Sequence, residues 1–221
     1  MSIDRLEGTV SADGSSLGSY ALASDVEILD TDSEGGYVRV YPSRLAGTKL
    51  SGDDVRYYTL NAGGEIDRLI LNEVTGDTYQ YVYLSGITDS STSGSGNVSN
   101  ISVSYTYVMD GQTYSLSGSA RYNAQVGGAV LVYEDGTLRS IQQLSSVPLD
   151  SLGSLSAMSE NQEYPLSEDV QVLLRDGTGT YRYYAASLSQ INTQDYDLTG
   201  WYDDLGLSAG GRIRVIVAVP K

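Results

Sequence analysis

One segment of this chain is written twice, and that recurrence limits the fold more than any other feature. Residues 20–37 read YALASDVEILDTDSEGGY, and residues 164–181 read YPLSEDVQVLLRDGTGTY. Without a gap, Tyr20 matches Tyr164, Leu22 matches Leu166, and Asp25 and Val26 match Asp169 and Val170. Leu29, Asp32, Gly35 and Tyr37 then match Leu173, Asp176, Gly179 and Tyr181. Apolar positions fall on apolar positions and turn residues on turn residues, as expected when one folding unit is used twice. The likeness extends outward: Gly8 to Ala12 (GTVSA) answers to Gly153 to Ala157 (GSLSA), and Leu60 to Ile66 (LNAGGEI) to Leu207 to Ile213 (LSAGGRI). The spacing drifts slightly between these pairs, which loops of unequal length allow at little cost. The first and last thirds therefore read as modules related by internal duplication. In the middle, TYSLSG (Thr113 to Gly118) and VYEDGTLRSI (Val132 to Ile141) resemble parts of the same pattern and point to a degenerate copy.

Each module reads as β. SYALA, DVEIL, YVRVY, VRYYTL and EIDRLIL are short runs of alternating apolar and polar residues, rich in Val, Ile, Leu and Tyr. Ala-Asp-Gly-Ser, Ser-Glu-Gly-Gly and Asn-Ala-Gly-Gly separate them, with Gly supplying the positive φ of tight hairpins. Leu-x-Ala-Gly-Gly-x-Ile is expected to be one hairpin turn per module. A phosphate cradle would need a following helix, and RIRVIVAV is a strand. Helix is expected only as single turns in YPSRLAG (Tyr41 to Gly47) and AASLSQI (Ala185 to Ile191). The predicted architecture is all-β, made of tandem small barrel or sandwich modules at residues 1–75, 76–148 and 149–221. A polar loop over residues 88–100, TDSSTSGSGNVSN, is expected to be flexible.

Composition narrows the chemistry. The 221 residues include no His and no Cys, so His-assisted nucleophiles, thiolates and zinc sites of those ligands are excluded. A formal charge of −15 argues against nucleic acid and against an anionic membrane surface. No stretch reaches the roughly 20 apolar residues of a membrane span, so no membrane insertion is expected. The opening MSIDRLEG lacks the apolar core of a signal peptide, so either the protein stays inside the cell or its export signal is absent here. Acidic, Ser/Thr/Gly/Tyr-rich and free of Cys, the chain fits an extracellular or cell-wall setting, as an exported chain whose signal segment is absent here.

The run YPLSEDVQVLL, followed by YDLTGWYDDLGLSAGGRIRVIVA, resembles the C-terminal β-rich repeat region of S-layer-homology-type surface proteins of Gram-positive anaerobes. Counting both module copies, the resemblance covers most of the chain. The wall-anchoring repeats of those proteins are not visible here, so wall attachment is not carried to any residue. The resemblance implies an exported, non-catalytic segment, and it transfers no site residues.

Several residues invite sharper readings. Asp30, Asp32 and Glu34 alternate before a Gly, like the start of a calcium loop, but the twelfth position is Tyr41 where a bidentate carboxylate belongs. A solvated acidic turn is the preferred reading; no cofactor is expected, with calcium as the alternative. Asp203 and Asp204 follow Trp201 and Tyr202, but neighbours on a strand point to opposite faces and cannot serve one substrate as a glycosidase pair. The 19 tyrosines and the absence of Phe leave two accounts open. Tyr fills thin cores in place of Phe, or it lines a binding surface, for which Trp201, Tyr202, Tyr181 and Tyr183 are the candidates. Arg212 and Arg214 are expected to be solvated on one face of a half-buried last strand, paired to some of the chain's many acids, with an anion site as the alternative. Together these readings predict a non-enzymatic structural or adhesive segment with other surface proteins as partners. The alternative is a carbohydrate-binding module for cell-wall polysaccharide.

Overall fold

A computed structural model describes residues 5–93 and 99–221. Strand takes up 59% of it and helix 3%, so the fold is all-β, with curled sheets forming half-barrels. The chain divides into two compact units. Residues up to Thr78 with Leu205–Gly210 form the first, and Tyr79–Asp204 with Gly211–Lys221 form the second.

The first unit contains β1 (Gly8–Thr9), β2 (Ser16–Leu17), β3 (Tyr20–Thr31), β4 (Tyr37–Val40), α1 (Pro42–Leu45), β5 (Lys49–Leu50), β6 (Val55–Leu60) and β7 (Ile66–Asn72). Its main sheet has the order β2-β3-β7-β6, with β4 also on β3, while β1 pairs β5 separately. β3 and β7 run parallel although the strands around them are antiparallel. Their register breaks between Leu22, opposite Ile66, and Glu27, opposite Arg68. Five steps on β3 thus face two on β7, a bulge that bends β3 and curls the sheet. Alternation along the strands buries Ile28, Leu69 and Leu71 against Val10, Leu17, Leu45 and Val74.

The second unit contains β8 (Gln80–Ser93), β9 (Ser99–Met109), β10 (Gln112–Gly118), β11 (Gly127–Glu134), β12 (Thr137–Gln143), β13 (Ser145–Pro148), β14 (Ser151–Leu152), β15 (Ser156–Ser159), β16 (Gln162–Asp176), β17 (Arg182–Ala186), a 3-10 turn (Leu188–Gln190), β18 (Tyr196–Tyr202) and β19 (Ile213–Pro220). One sheet runs β13-β18-β19-β16-β15-β14 with β17 on β16. It repeats the pairings of the first unit: β16 is parallel to β19, β18 antiparallel to β19, and β17 antiparallel to β16. The break recurs too, from Leu166 opposite Ile213 to Gln171 opposite Val215. Asp25 and Val26 lie in one bulge and Asp169 and Val170 in the other, so part of the written repeat falls where each long strand bends. The single helical turns fall where the sequence placed them.

The second unit also contains a third sheet, ordered β10-β9-β8-β11-β12, in which every pair is antiparallel. Its topology differs from that of the other two, and most of the residues expected as second and third modules fall within one unit. Tyr83 and Val108 from this sheet join Leu173, Tyr183, Val215 and Val217 in one hydrophobic cluster, which gives the reason. The segment expected as a flexible loop is largely strand: Thr88 to Ser93 continue β8, Ser99 and Asn100 begin β9, and residues 94–98 lie outside the described residues. Ser and Thr there extend an antiparallel ladder, whose backbone pairing is indifferent to their polarity.

The second Leu-x-Ala-Gly-Gly-x-Ile run also departs from expectation. Asn61 donates its N–H to Glu65 O at 2.9 Å and closes a tight turn, whereas Asp203 donates to Arg212 O at 3.1 Å across a longer loop. Within that loop Ala209 donates to Val74 O at 2.9 Å and belongs to the first unit. Identical glycines therefore serve turns of different size, because the flanking ladder ends earlier in the second case.

Turn chemistry supplies a test. Asp13 accepts from Ser11 Oγ at 2.6 Å, from Ser15 Oγ at 2.8 Å and from Ser15 N at 3.0 Å. The Ser11 hydroxyl first, then the Ser15 hydroxyl and N–H, hold its carboxyl down at about 2, against an ordinary 3.8. A depressed folded value means that the turn's contribution to stability is complete above pH 3.8 and disappears as pH falls through about 2. The Asp13 side-chain carboxyl resonance should titrate near 2, and Ser11→Ala should move it toward 3.8.

Candidate functional site

Trp201 and Tyr202 are neighbours on β18, and the pleat sends them to opposite faces. Trp201 joins the cluster of Tyr83, Leu173, Tyr183 and Val215. Its indole lies against Gly127 and Gly128 of β11, where a Cβ on Gly128 would come within 2.6 Å of Trp201 Cβ. Tyr83 stands edge-on to Trp201 at 6.2 Å and is 5.0 Å from the ring of Tyr183, which is buried. Burial, with Tyr183 beside it, pushes the Tyr83 phenol well above its usual value. Tyr202 faces the other cluster, its ring 5.1 Å from Tyr164. Tyr181 is exposed, with Arg175 4.3 Å above its ring. Of the four candidate binding aromatics, the structure brings Trp201 and Tyr183 together in an interior and leaves Tyr202 and Tyr181 elsewhere.

The acidic pair beyond them also separates. Asp203 is 1% exposed and Arg214 is 2% exposed. Arg214 Nε donates to Asp203 Oδ2 at 2.6 Å, Arg214 Nη1 donates to Ser167 Oγ at 3.2 Å, and the guanidinium lies 4.6 Å from the Tyr81 ring. The N–H groups of Gly211 and Arg212 donate to Asp203 at 2.5 and 3.3 Å. This corrects the expectation of a solvated Arg214. Arg214 occupies the bulge between Val215 and Ile213, which turns its side chain inward onto Asp203. Arg212 is half-buried and donates to Leu166 O at 3.0 Å.

The three acids considered for calcium go to different places. Asp30 is fully buried, which corrects its reading as part of a solvated turn. It accepts from Val74 N at 3.0 Å, Thr75 N at 2.8 Å and Thr75 Oγ1 at 2.6 Å, holding the chain that leaves β7. Asp32 accepts from Glu34 N at 2.9 Å and Gly36 N at 2.7 Å, an Asx turn, and Glu34 is exposed. Among the described residues no group of three or more His, Cys, Asp and Glu is placed to hold a metal ion.

The surface that the sequence did not nominate lies in the first unit. A groove of about 660 Å³ runs beside β6, lined by Arg5, Leu6, Asp53, Arg56, Tyr57 and Tyr58 among others. Arg5 meets Asp53 at 2.7 Å with both side chains exposed, and Tyr57 is 56% exposed. VRYYTL mixes Arg with paired Tyr, a composition suited to an edge strand, and that was the available signal. A second exposed set follows the alternation of β4: Tyr37, Arg39 and Tyr41, with Arg39 5.4 Å from the Tyr41 ring.

Comparison with protein-family models, curated proteins and solved structures gives no match to this chain.

Two substitutions test the interior arrangement. Asp203→Asn leaves the buried Arg214 charge uncompensated and should cost about 3–5 kcal/mol in denaturant unfolding. Gly128→Ala drives a methyl into Trp201 and should cost about 1–3 kcal/mol, with loss of the near-ultraviolet tryptophan signal.

Proposed function

We propose that this chain is a non-enzymatic structural or adhesive segment of an exported cell-surface protein. The observation that carries this reading is the use made of its most site-like residues. Trp201, Tyr183, Asp203 and Arg214 hold the second unit together and are closed to solvent or packed against neighbouring strands. The resemblance of the YPLSEDVQVLL and GGRIRVIVA runs to β-rich regions of Gram-positive surface proteins supports the same reading. So does a net charge of −15, since like charges oppose pairing of β strands between copies of the chain. Its partners in this reading are other surface proteins.

Carbohydrate binding is the second reading, and Tyr37, Arg39 and Tyr41 favour it, since aromatic rings exposed along one line of a strand can stack on sugar faces. The purified chain, passed over Gram-positive cell walls and a panel of polysaccharides, separates the two. No saturable retention on polysaccharide is expected. Retention abolished by Tyr37→Ser with Tyr41→Ser would replace the structural reading with a carbohydrate-binding one.

A further inference from the structure

We propose that Tyr107 and Tyr114 form an oxidative modification site, at which a one-electron oxidant couples the two rings into dityrosine and staples edge strand β10 to β9. The proposal goes beyond the structural and adhesive reading, because it gives a covalent cross-link to a chain that has no Cys with which to form a disulfide.

A two-residue hairpin builds the pair. Asp110 and Gly111 both take positive φ, 51° and 74°, and set Met109 opposite Gln112, which places Tyr107 directly opposite Tyr114. The turn itself is anchored. The Asp110 N–H donates to Gln171 Oε1 at 3.0 Å, and a Cβ on Gly111 would come within 2.7 Å of Ala185 Cβ. Beyond the turn, burial does little to hold β10, which ends the sheet order and has only Leu116 partly buried. A bond between the rings of Tyr107 and Tyr114 would fix this strand where packing does not.

The two rings lie 5.3 Å apart and 18° from parallel, an offset stack. The other tyrosine pairs in ring contact among the described residues are inclined by 45° to 57°. A phenoxyl radical carries much of its spin on the ortho carbons, and stacked rings present those carbons to each other. Access is divided between the two: Tyr114 is 41% exposed and Tyr107 7%. Tyr114 therefore gives the first electron and proton to the oxidant, a peroxide acting through a haem peroxidase. Its radical takes a hydrogen atom from Tyr107 and is then oxidised a second time. Burial first, then the phenols of Tyr133 and Tyr114, raise the Tyr107 phenol above its ordinary value, so its proton leaves together with the electron. The two radicals join through one ortho carbon each, and the hydrogens on those carbons shift to the oxygens and restore both phenols. Hydrogen peroxide receives the two electrons and two protons and leaves as two waters.

The experiment treats the dilute full chain with a haem peroxidase and limiting hydrogen peroxide. A monomer two hydrogens lighter, with dityrosine fluorescence, is expected, because a ring already in contact outcompetes collisions between molecules. Proteolysis before aspartates cuts at Asp110, between the two tyrosines, so their peptides should stay joined. Tyr107→Phe and Tyr114→Phe keep the rings but remove the oxidisable hydroxyl, and each should abolish the joined pair. Tyr122→Phe and Tyr133→Phe should leave it. Tyr114 is exposed, so its variant keeps the fold and decides the matter should Tyr107→Phe not fold. A staple across so short a loop adds little to global stability, so its effect should be local, with amide exchange along β10 slowed about tenfold. Three results would overturn the proposal: no loss of hydrogens, cross-links that only join separate molecules, or a joined pair that survives Tyr114→Phe.

Discussion

The parallel pairing across a bend, β3 on β7 and β16 on β19, is the constraint from which the rest of each half-barrel follows. Parallel neighbours cannot be joined by a tight hairpin, so the intervening chain must leave the sheet and return. In the first unit it does so through β4, α1, β5 and β6, and in the second through β17, the 3-10 turn and β18. The bulge inside each long strand then divides it into two arms. One arm of β3 carries β2 and the other carries β4 and β7; β16 divides its partners in the same way. Without the bulge the long strand would remain straight, and its two sets of partners would form a flat ladder with an open hydrophobic face.

Buried charge closes what the ladders leave open. Asp30 gathers Val74 and Thr75, and Asp203 gathers Gly211, Arg212 and Arg214. Both carboxylates satisfy backbone N–H groups where a strand meets a loop, positions at which an unpaired donor would be costly. The two devices differ in what joins the backbone amides, a hydroxyl at Asp30 and a guanidinium at Asp203. They are not among the residues that match between the modules.

Aromatic usage follows the same division between cover and exposure. Tyr105 is 2% exposed, and its hydroxyl accepts the N–H of Tyr122 at 2.8 Å, so a phenol can stand in a core position that Phe would fill elsewhere. Tyr37, Tyr57 and Tyr181 present the same group to water. The one Trp, by contrast, is packed against the glycine pair Gly127 and Gly128.

Much of this was legible beforehand. The alternation of DVEIL, YVRVY and VRYYTL, the glycine-marked turns, the helical turn at Pro42 and the correspondence of residues 20–37 with 164–181 are local properties, and local sterics and period-2 patterning determine them. The sequence by itself determined where most strands and tight turns lie, though not that Thr88–Ser93 are strand or that the second Gly-Gly run sits in a longer loop, and it determined that two segments share one pattern. Only the tertiary structure decided which faces are covered. Arg214 reads as solvated on a simple alternation and is buried because a bulge at that residue rotates it onto Asp203. Trp201 reads as a binding platform and is packed because Gly127 and Gly128, more than seventy residues earlier, pass beneath it. Burial is set by the strand that arrives from elsewhere in the chain, and no short window of sequence contains that strand.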